Sequence, residues 1–530
     1  MKFTHIPFQK TGFFSKTMID YLEKNENLQK FYHNFPDLEG FSKQIKEKKA
    51  TFSQASRAIL VKALKSQSKG FQNSEATTKN IASLINENTF TITTGHQLNL
   101  FTGPLYFLYK ILSAINLCEQ LSEKFPEQKF VPIYWMATED HDFEEINYFN
   151  FRGSKLVWNR KDGGPVGRFS TQGLEAVLET FSKHLGSSKN AQFLRELFQS
   201  AYVNQTSLAG ATRYIANELF KEYGLVIIDG DDVQLKKLFA PYVKDELLNQ
   251  TSYRCVSNSI LTLEKSYKVQ VNPREINLFY MTDTIRERII RDGDIYIVND
   301  TELSFTQAEL LSELASHPER FSPNVIMRPL YQEVILPNLS YIGGGGELAY
   351  WMELKEYFDT VKVAFPILLL RNSVQVVSKK QFNKLQNLQI SFEEVFLKQH
   401  NLLAKKVKEN SEIQFSFSDA KTLLEEQFVA LHRVAECTDM SFVGAVNAQQ
   451  AKQLKGLRNL EKRLLRAEKR KHADLVDRIK NLQNQLLPNQ SLEERQRNFS
   501  EYYLEYGESF TSHLKSSLEP LQLEFIILVL

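Results

Sequence analysis

Cysteine is scarce. Three residues, Cys118, Cys255 and Cys437, lie far apart in a chain of 530. No Cys-x-x-Cys or Cys/His spacing occurs, which excludes a zinc finger or ribbon, and an odd, scattered set gives no disulfide framework. A reducing, cytoplasmic setting is expected. Glycine and proline are modest, at 22 and 15 residues, and apolar residues make up 42%. Collagen-like, disordered and low-complexity classes fall away. Charge of one sign is not in excess: Lys and Arg total 65, Asp and Glu 63, for a net +2. No global field marks a nucleic-acid or membrane binder. No apolar run reaches the roughly 18 residues of a membrane span. The opening MKFTHIPFQK has no apolar signal-peptide core.

What is present is a change of period along the chain. Residues 1–85 carry apolar residues at helical spacing, over 17–28, 38–49 and 53–68. Thr89–Thr94 is short and β-branched, and is followed by Gly95-His96-Gln97, Thr102-Gly103-Pro104 and the apolar-striped segment 105–121. Val131–Met136 reads as the next strand. Strand, helix, strand at this spacing predicts a parallel crossover. Further strands are expected at 225–229, 325–330 and 365–370, with a buried terminal strand at FIILVL. Segments 150–172 and 270–300 alternate apolar and polar residues around turns and read as small antiparallel excursions. Residues 376–487 hold two glycines and no proline. They predict three helices, 376–408, 418–436 and 442–487, the last about 65–70 Å long. Seven- and eleven-residue leucine steps there (Leu457, Leu460, Leu464; Leu464, Leu475, Leu486) suggest a nearly straight coiled coil. Ser491-Leu492-Glu493-Glu494 reads as a capping box opening a final helix that Gly507 ends. The expected architecture is α/β, with a parallel-sheet core over 1–375 carrying excursions at about 150–220 and 255–320, an α-helical coiled-coil domain over 376–487, and a helix and strand over 488–530 returning to the core.

Four clusters carry candidate chemistry. Gly95-His96-Gln97 with Thr102-Gly103 sits where a strand discharges into a helix, a place for an anion on free amides, with Lys110 two turns further on; a plain tight turn is the alternative. Trp135–Asp142 drives an apolar strand into Glu139, Asp140, His141 and Asp142. Such a set can hold an amine or Mg²⁺, with Asp140 the metal candidate, or supply a base, with His141 a proton shuttle; the alternative is a solvated loop capping the next helix. Gly343–Gly346 before Glu347 permits close backbone approach and an anion nest, against a flexible linker. Arg328 and Arg371, read at neighbouring strand ends, could fork onto carboxylate or phosphate, or be plain surface charge. In the fourth cluster, residues 452–480, eleven Lys/Arg face four Asp/Glu; with no aromatics interleaved this reads as a solvated coiled-coil face, and nucleic acid is not expected.

These segments together resemble one family. The carriers are Thr94-Gly95-His96-Gln97 with Thr102–Tyr106 and Lys110; Trp135–Ile146; and Phe321–Val325 with Arg328-Pro329, Gln332-Glu333, Leu336-Pro337 and Gly346–Trp351. The family is the bacillithiol biosynthesis cysteine-adding enzymes, cysteine ligases, and the resemblance runs through most of the chain. Two departures stand out: His96 where many members carry Gln, and an all-glycine third motif where Gly-Pro-Gly is common. The resemblance implies a Rossmann-like core with small connecting insertions and a coiled-coil domain, and amide formation between cysteine and glucosaminyl-malate. It implies ATP with Mg²⁺ activating the cysteine carboxyl through an acyl-adenylate or acyl-phosphate, and no zinc, nicotinamide or flavin. It also implies a homodimer through the coiled coil, with no membrane partner. On that reading Asp140, His141 and Asp142 are catalytic, with His141 deprotonating the amine. Gly95, His96, Gln97, Thr102, Gly103, Lys110, Glu139, Arg328, Gly344, Gly345, Gly346, Glu347 and Arg371 bind substrate or nucleotide, the arginines taking the malate carboxylates. Two other readings stay open: a nucleotidyl-transfer-type Rossmann enzyme acting on another small molecule or tRNA, which would lack the expected HIGH and KMSKS pair, and a scaffold whose working part is the coiled coil.

Overall fold

The β-branched run Thr89–His96 is buried at every position, as a strand must be when helices cover both faces of its sheet. In the computed structural model, which describes residues 2–161, 163–413 and 415–530, it is the middle of a five-stranded sheet. The order is Ile367–Leu370, Asn338–Gly343, Thr89–His96, Lys129–Met136, Val226–Asp229. All four pairings are parallel, giving the Rossmann-like class. The chain leaves Thr89–His96 through the buried helix Tyr106–Lys124 to one neighbour, and reaches the other neighbour only much later. This strand is therefore the topological switch point, and open α/β sheets bind ligands outside the carboxyl ends of the strands there.

By compactness the chain divides into two units. The first comprises residues 1–9, 13–375 and 493–528. Besides the parallel sheet it holds the hairpin Tyr148–Phe151/Ser154–Val157 and an antiparallel sheet of Ser304–Thr306, Ile295–Val298, Arg286–Asp292, Leu278–Met281 and Phe321–Pro323. The C-terminal strand Phe525–Val529 is largely buried.

Several buried polar groups fix the order of the core. Arg57 donates to the carbonyls of Leu84, Glu87 and Thr89, stapling the helix Gln54–Gln67 to the start of the central strand; burial pulls its guanidinium down to about 10. Lys48 and Glu333 form a buried ion pair at 3.1 Å. Glu333 also accepts from Asn338 Nδ2, whose Oδ1 in turn accepts from Thr91 and Thr93. One network thus sets the register of two adjacent strands.

The second unit comprises residues 10–12, 376–492 and 529–530 and is helical. Ser418–Ala435 and Met440–Lys471 pack through Phe428, Ala435 and Val446. The latter helix has 32 residues, about 48 Å.

Several expected elements differ. Residues 325–330 are not a strand: Phe321–Pro323 is, and Arg328 opens the helix Arg328–Ile335 with Pro329 in its first turn, where the missing amide costs nothing. The strand Asn338–Gly343 replaces it in the sheet. The segment 376–408 begins in the strand Val374–Val377 and continues as three helices, Lys379–Asn387, Phe392–Val395 and Gln399–Glu409, because Ser378 with Gln381 and Ser391 with Glu394 form capping boxes that restart the chain. The expected 442–487 helix ends at Lys471, and Ala473–Leu486 is separate, since His472 leaves helical geometry at ψ 36°. Ser491 is followed only by the short 3₁₀ helix Glu493–Arg495, whose Glu493 and Glu494 are spent on Gln375 and Arg371; Asn498 caps Phe499–Tyr506, which Gly507 ends, and a further helix, Glu508–Ser517, follows.

Replacing Glu333 by Ala leaves the Lys48 ammonium buried without its partner. The expected cost is about 3–5 kcal/mol, read from urea unfolding; a loss below about 1 kcal/mol would show that the pair does not hold the strands.

Candidate functional site

The end of the central strand, the end of Lys129–Met136 and the Asn338–Gly343 strand border one cavity of about 640 Å³. Gly95, His96, Gln97 and Lys110 line it from the first motif. Glu139, Asp140, His141 and Asp142 line it from the second, and Arg328 and Glu347 from the third. The antiparallel sheet closes another side with Leu278, Phe279, Arg286 and Arg288.

Lys110 joins the first and third motifs. Its Nζ lies 2.6 Å from Glu347 Oε1 and donates to the Gly95 carbonyl at 2.7 Å. Burial pulls the ammonium down, and Glu347 opposes that pull. Burial works against the Glu347 carboxylate too, yet Lys110, the Tyr341 hydroxyl and the Gly344 amide hold it below the usual range. Gly343 leaves room for this contact: a Cβ would stand 3.0 Å from the Tyr341 ring and 3.1 Å from Glu347 Cβ, so a side chain would push on both.

His96 is 8% exposed. Burial, then the Lys110 charge, pushes its imidazole down to about 3, so it is neutral near pH 7 and does not shuttle protons. Its Nε2 has no hydrogen-bond partner among the described residues.

The second motif is tightly held. Asp140 Oδ1 accepts from the His141 and Asp142 amides, and Oδ2 from Gln97 Nε2. Glu139 accepts from the buried Lys236 ammonium at 2.7 Å. His141 Nδ1 lies 2.6 Å from Arg286 Nη1. A guanidinium has no acceptor, so Nδ1 accepts and the ring proton sits on Nε2, on the side of Asp142, 3.9 Å away. His141 thus presents a donor where the sequence suggested a base. Arg286 is itself fixed by Ser322 Oγ, the Pro323 carbonyl and the Phe279 ring at 4.1 Å. Asp142 is exposed; what burial it has, and then Asp140, raise its carboxyl. Next to it Thr138 donates to Asp229, whose carboxyl burial pushes up to about 6.

Asp140, His141 and Asp142 bring ligand atoms within 4.8 Å of one another. They do not fit a resident Mg²⁺: the imidazole nitrogen facing Arg286 is occupied, both Asp140 oxygens already accept, and a guanidinium stands alongside. Only Asp142 remains as a free carboxylate, too few for this oxygen-seeking ion.

Other sequence candidates lie elsewhere. Thr102 is buried and Gly103 packs on Asn99, where a Cβ would come within 2.5 Å. The helix start after them offers no anion cradle, because Leu105 N donates to the Arg497 carbonyl and Phe107 N to Pro104. Gly344, Gly345, Gly346 and Arg371 line a separate cavity of about 150 Å³. Arg371 is no surface charge: it is 3% exposed and pairs with buried Glu494 at 2.6 Å. The Glu494 charge holds its guanidinium above its usual value despite burial. Arg328 stacks near Trp135, Tyr341 and Trp351.

Arg286, Arg288, Arg274, Lys236 and Tyr341 were not singled out from the sequence. One signal existed: Arg286 and Arg288 stand two apart on a strand and so share a face.

Replacing Arg286 by Met frees His141 Nδ1. In nitrogen NMR of labelled histidine, the wild type is expected to show a single Nε2–H tautomer for His141 and the variant a mixture. A wild-type ring protonated on Nδ1 would overturn the assignment.

Comparison with known proteins bears on the whole chain. Residues 1–372 match the profile described as bacillithiol biosynthesis BshC, N-terminal Rossmann-like domain. Residues 374–530 match that of the BshC C-terminal coiled-coil domain. A Flavobacterium psychrophilum protein is 56% identical over 99% of this chain and 98% of its own length. One from Flavobacterium johnsoniae is 54% identical over 99% of both, and one from Cytophaga hutchinsonii 40% identical over 93% and 92%. Each carries the name "Putative cysteine ligase BshC". With both profiles matched end to end and the three motifs meeting at one cavity, the chain belongs to the bacillithiol biosynthesis BshC family.

Proposed function

We propose that this protein is a carbon–nitrogen ligase. It joins the carboxyl of cysteine to the amine of glucosaminyl-malate, using ATP, to give bacillithiol. The observation that carries the reading is the convergence at the sheet's switch point: paired acids, a donor imidazole and arginines face one cavity large enough for two small polar substrates. Amide formation from a free carboxylate is uphill in water, so the carboxyl is activated first, and ATP supplies that activation. The amides of Gly345 and Gly346 open the helix Gly345–Glu353 onto the smaller cavity, beside a buried Arg371 Nε that lacks a partner among the described residues. These are groups that suit phosphate. Mg²⁺ enters with the nucleotide as its counter-ion.

In the larger cavity the acids attract the substrate amines. Asp142 has the raised carboxyl and no committed partner, and takes the proton that the attacking amine loses. His141, held by Arg286, points Nε2–H at the oxygen on which charge develops. Lys110 and Glu347 neutralise each other and keep the two turns in place.

The test is turnover with ATP, cysteine and glucosaminyl-malate. Asp142→Asn is expected to lower kcat by about 10²–10⁴ with an unchanged melting temperature. A wild-type rate in this variant would remove Asp142 from the chemistry, and no bacillithiol from the wild type would reject the reading.

We also propose that the chain is a homodimer through its helical unit. Leu423, Leu431 and Val434 share one side of the helix Ser418–Ala435 and are exposed, as is Met440 at the start of the next helix, by 83%, apolar groups that an interface would cover. Sedimentation at micromolar concentration should show a dimer, and Leu431→Lys with Val434→Lys a monomer. A monomeric wild type would refute it.

A further inference from the structure

Several cations of the large cavity are already engaged. Lys110 has Glu347, Arg286 has Ser322, the Pro323 carbonyl and His141, and Arg328 reaches Gln332 on its own helix through Nη1, while its buried Nη2 has no hydrogen-bond partner among the described residues. Two further cations, both on the insertion, lack an ion partner. Arg274 and Arg288 both line the cavity, and among the described residues neither has a carboxylate within ion-pair distance. Arg288 Nε is buried and has no hydrogen-bond partner there. An unsatisfied guanidinium donor facing a cavity is costly unless a ligand fills it.

Both arginines are held in place through their backbones. Arg288 lies on the strand Arg286–Asp292, opposite Phe279, and shares its face with Arg286. Arg274 belongs to a segment tied at each end. Buried Glu353 accepts from the Gln270 and Val271 amides. Asn277 Oδ1 accepts from the Arg274 amide, and Asn277 itself is fixed by buried Glu246. The acids of the cavity sit around Arg286. Charge is therefore segregated: acids and a donor imidazole at the strand ends, free guanidinium groups on the antiparallel insertion.

We propose that Arg274 and Arg288 form a dicarboxylate subsite that receives the two malate carboxylates of the acceptor. Of the candidates from sequence, Arg371 pairs with Glu494 and lines the smaller cavity, and Arg328 sits on the helix Arg328–Ile335 bonded through Nη1 to Gln332, apart from the insertion. The anion subsite stands on the geometry; its assignment to the acceptor rests on the function proposed above. Forked pairing of a guanidinium with a carboxylate supplies both affinity and orientation. It would turn the glucosamine amine toward Asp142.

Two measurements separate the subsite from the reaction. The first is calorimetric binding of L-malate alone to the full chain. Wild type is expected to bind, and Arg274→Gln, Arg288→Gln and the double variant to bind progressively more weakly, by about 10- to 100-fold for each arginine. Wild type that binds no malate, or variants that bind as wild type does, would overturn the subsite. Arg274 is exposed, so Arg274→Gln tests the idea even if Arg288→Gln unfolds. The second is kinetics. In Arg274→Gln the KM for glucosaminyl-malate should rise while the KM for cysteine stays put. With a neutral methyl glucosaminide as acceptor, wild type and variant should have the same kcat/KM. Equal KM values for glucosaminyl-malate in wild type and variant would overturn the assignment to the acceptor. A wild type that binds malate but makes no bacillithiol would reject the proposed function and leave the dicarboxylate subsite standing.

Discussion

The contact between Lys110 and Glu347 makes one site out of two distant stretches of chain. Its ammonium is buried at the carboxyl end of the central strand, and its carboxylate starts the helix after the neighbouring strand. Neither charge would be tolerated there alone, since an isolated buried ion is strongly disfavoured. Together with the Gly95 carbonyl, the Tyr341 hydroxyl and the Gly344 amide they satisfy one another. The two strand-to-helix turns are thereby clamped edge to edge at the border of the cavity.

The clamp also explains a division of labour among the basic residues. Several charges within the parallel core are neutralised internally: Lys48 by Glu333, Lys236 by Glu139, Arg371 by Glu494. On the antiparallel insertion the pattern is mixed: Arg320 pairs with Glu313 and Arg286 aligns His141, while Arg288 Nε has no hydrogen-bond partner among the described residues. A core must satisfy its own polar groups to fold. His96, at the border of the cavity, is held neutral by burial and packs against Tyr106 and Phe107.

The acid-rich second motif illustrates why composition alone misassigns roles. As a string, Glu139-Asp140-His141-Asp142 offers three equivalent acids and a base. In the fold Glu139 neutralises a lysine, Asp140 shapes the turn, and His141 turns its protonated nitrogen outward. Only Asp142 is left free of a strong partner. The difference comes from Lys236, Gln97 and Arg286, all far away in sequence.

The sequence by itself determined the α/β class with its parallel core, the β-branched central strand, the helical stretch that follows the strand Val374–Val377 and the three motifs at strand ends. These are local signals: period, β-branching, the placement of glycine and acid. It misjudged the strand at 325–330 and the unbroken helix 442–487. Pro329 suits a first helical turn as well as an edge, and no glycine or proline marks the break at His472. Only the tertiary structure decided which cation meets which carboxylate, which nitrogen of His141 bears the proton, and that Gly344–Gly346 open onto a second cavity. Pairing and desolvation depend on distance in space, and a sequence records only distance along the chain.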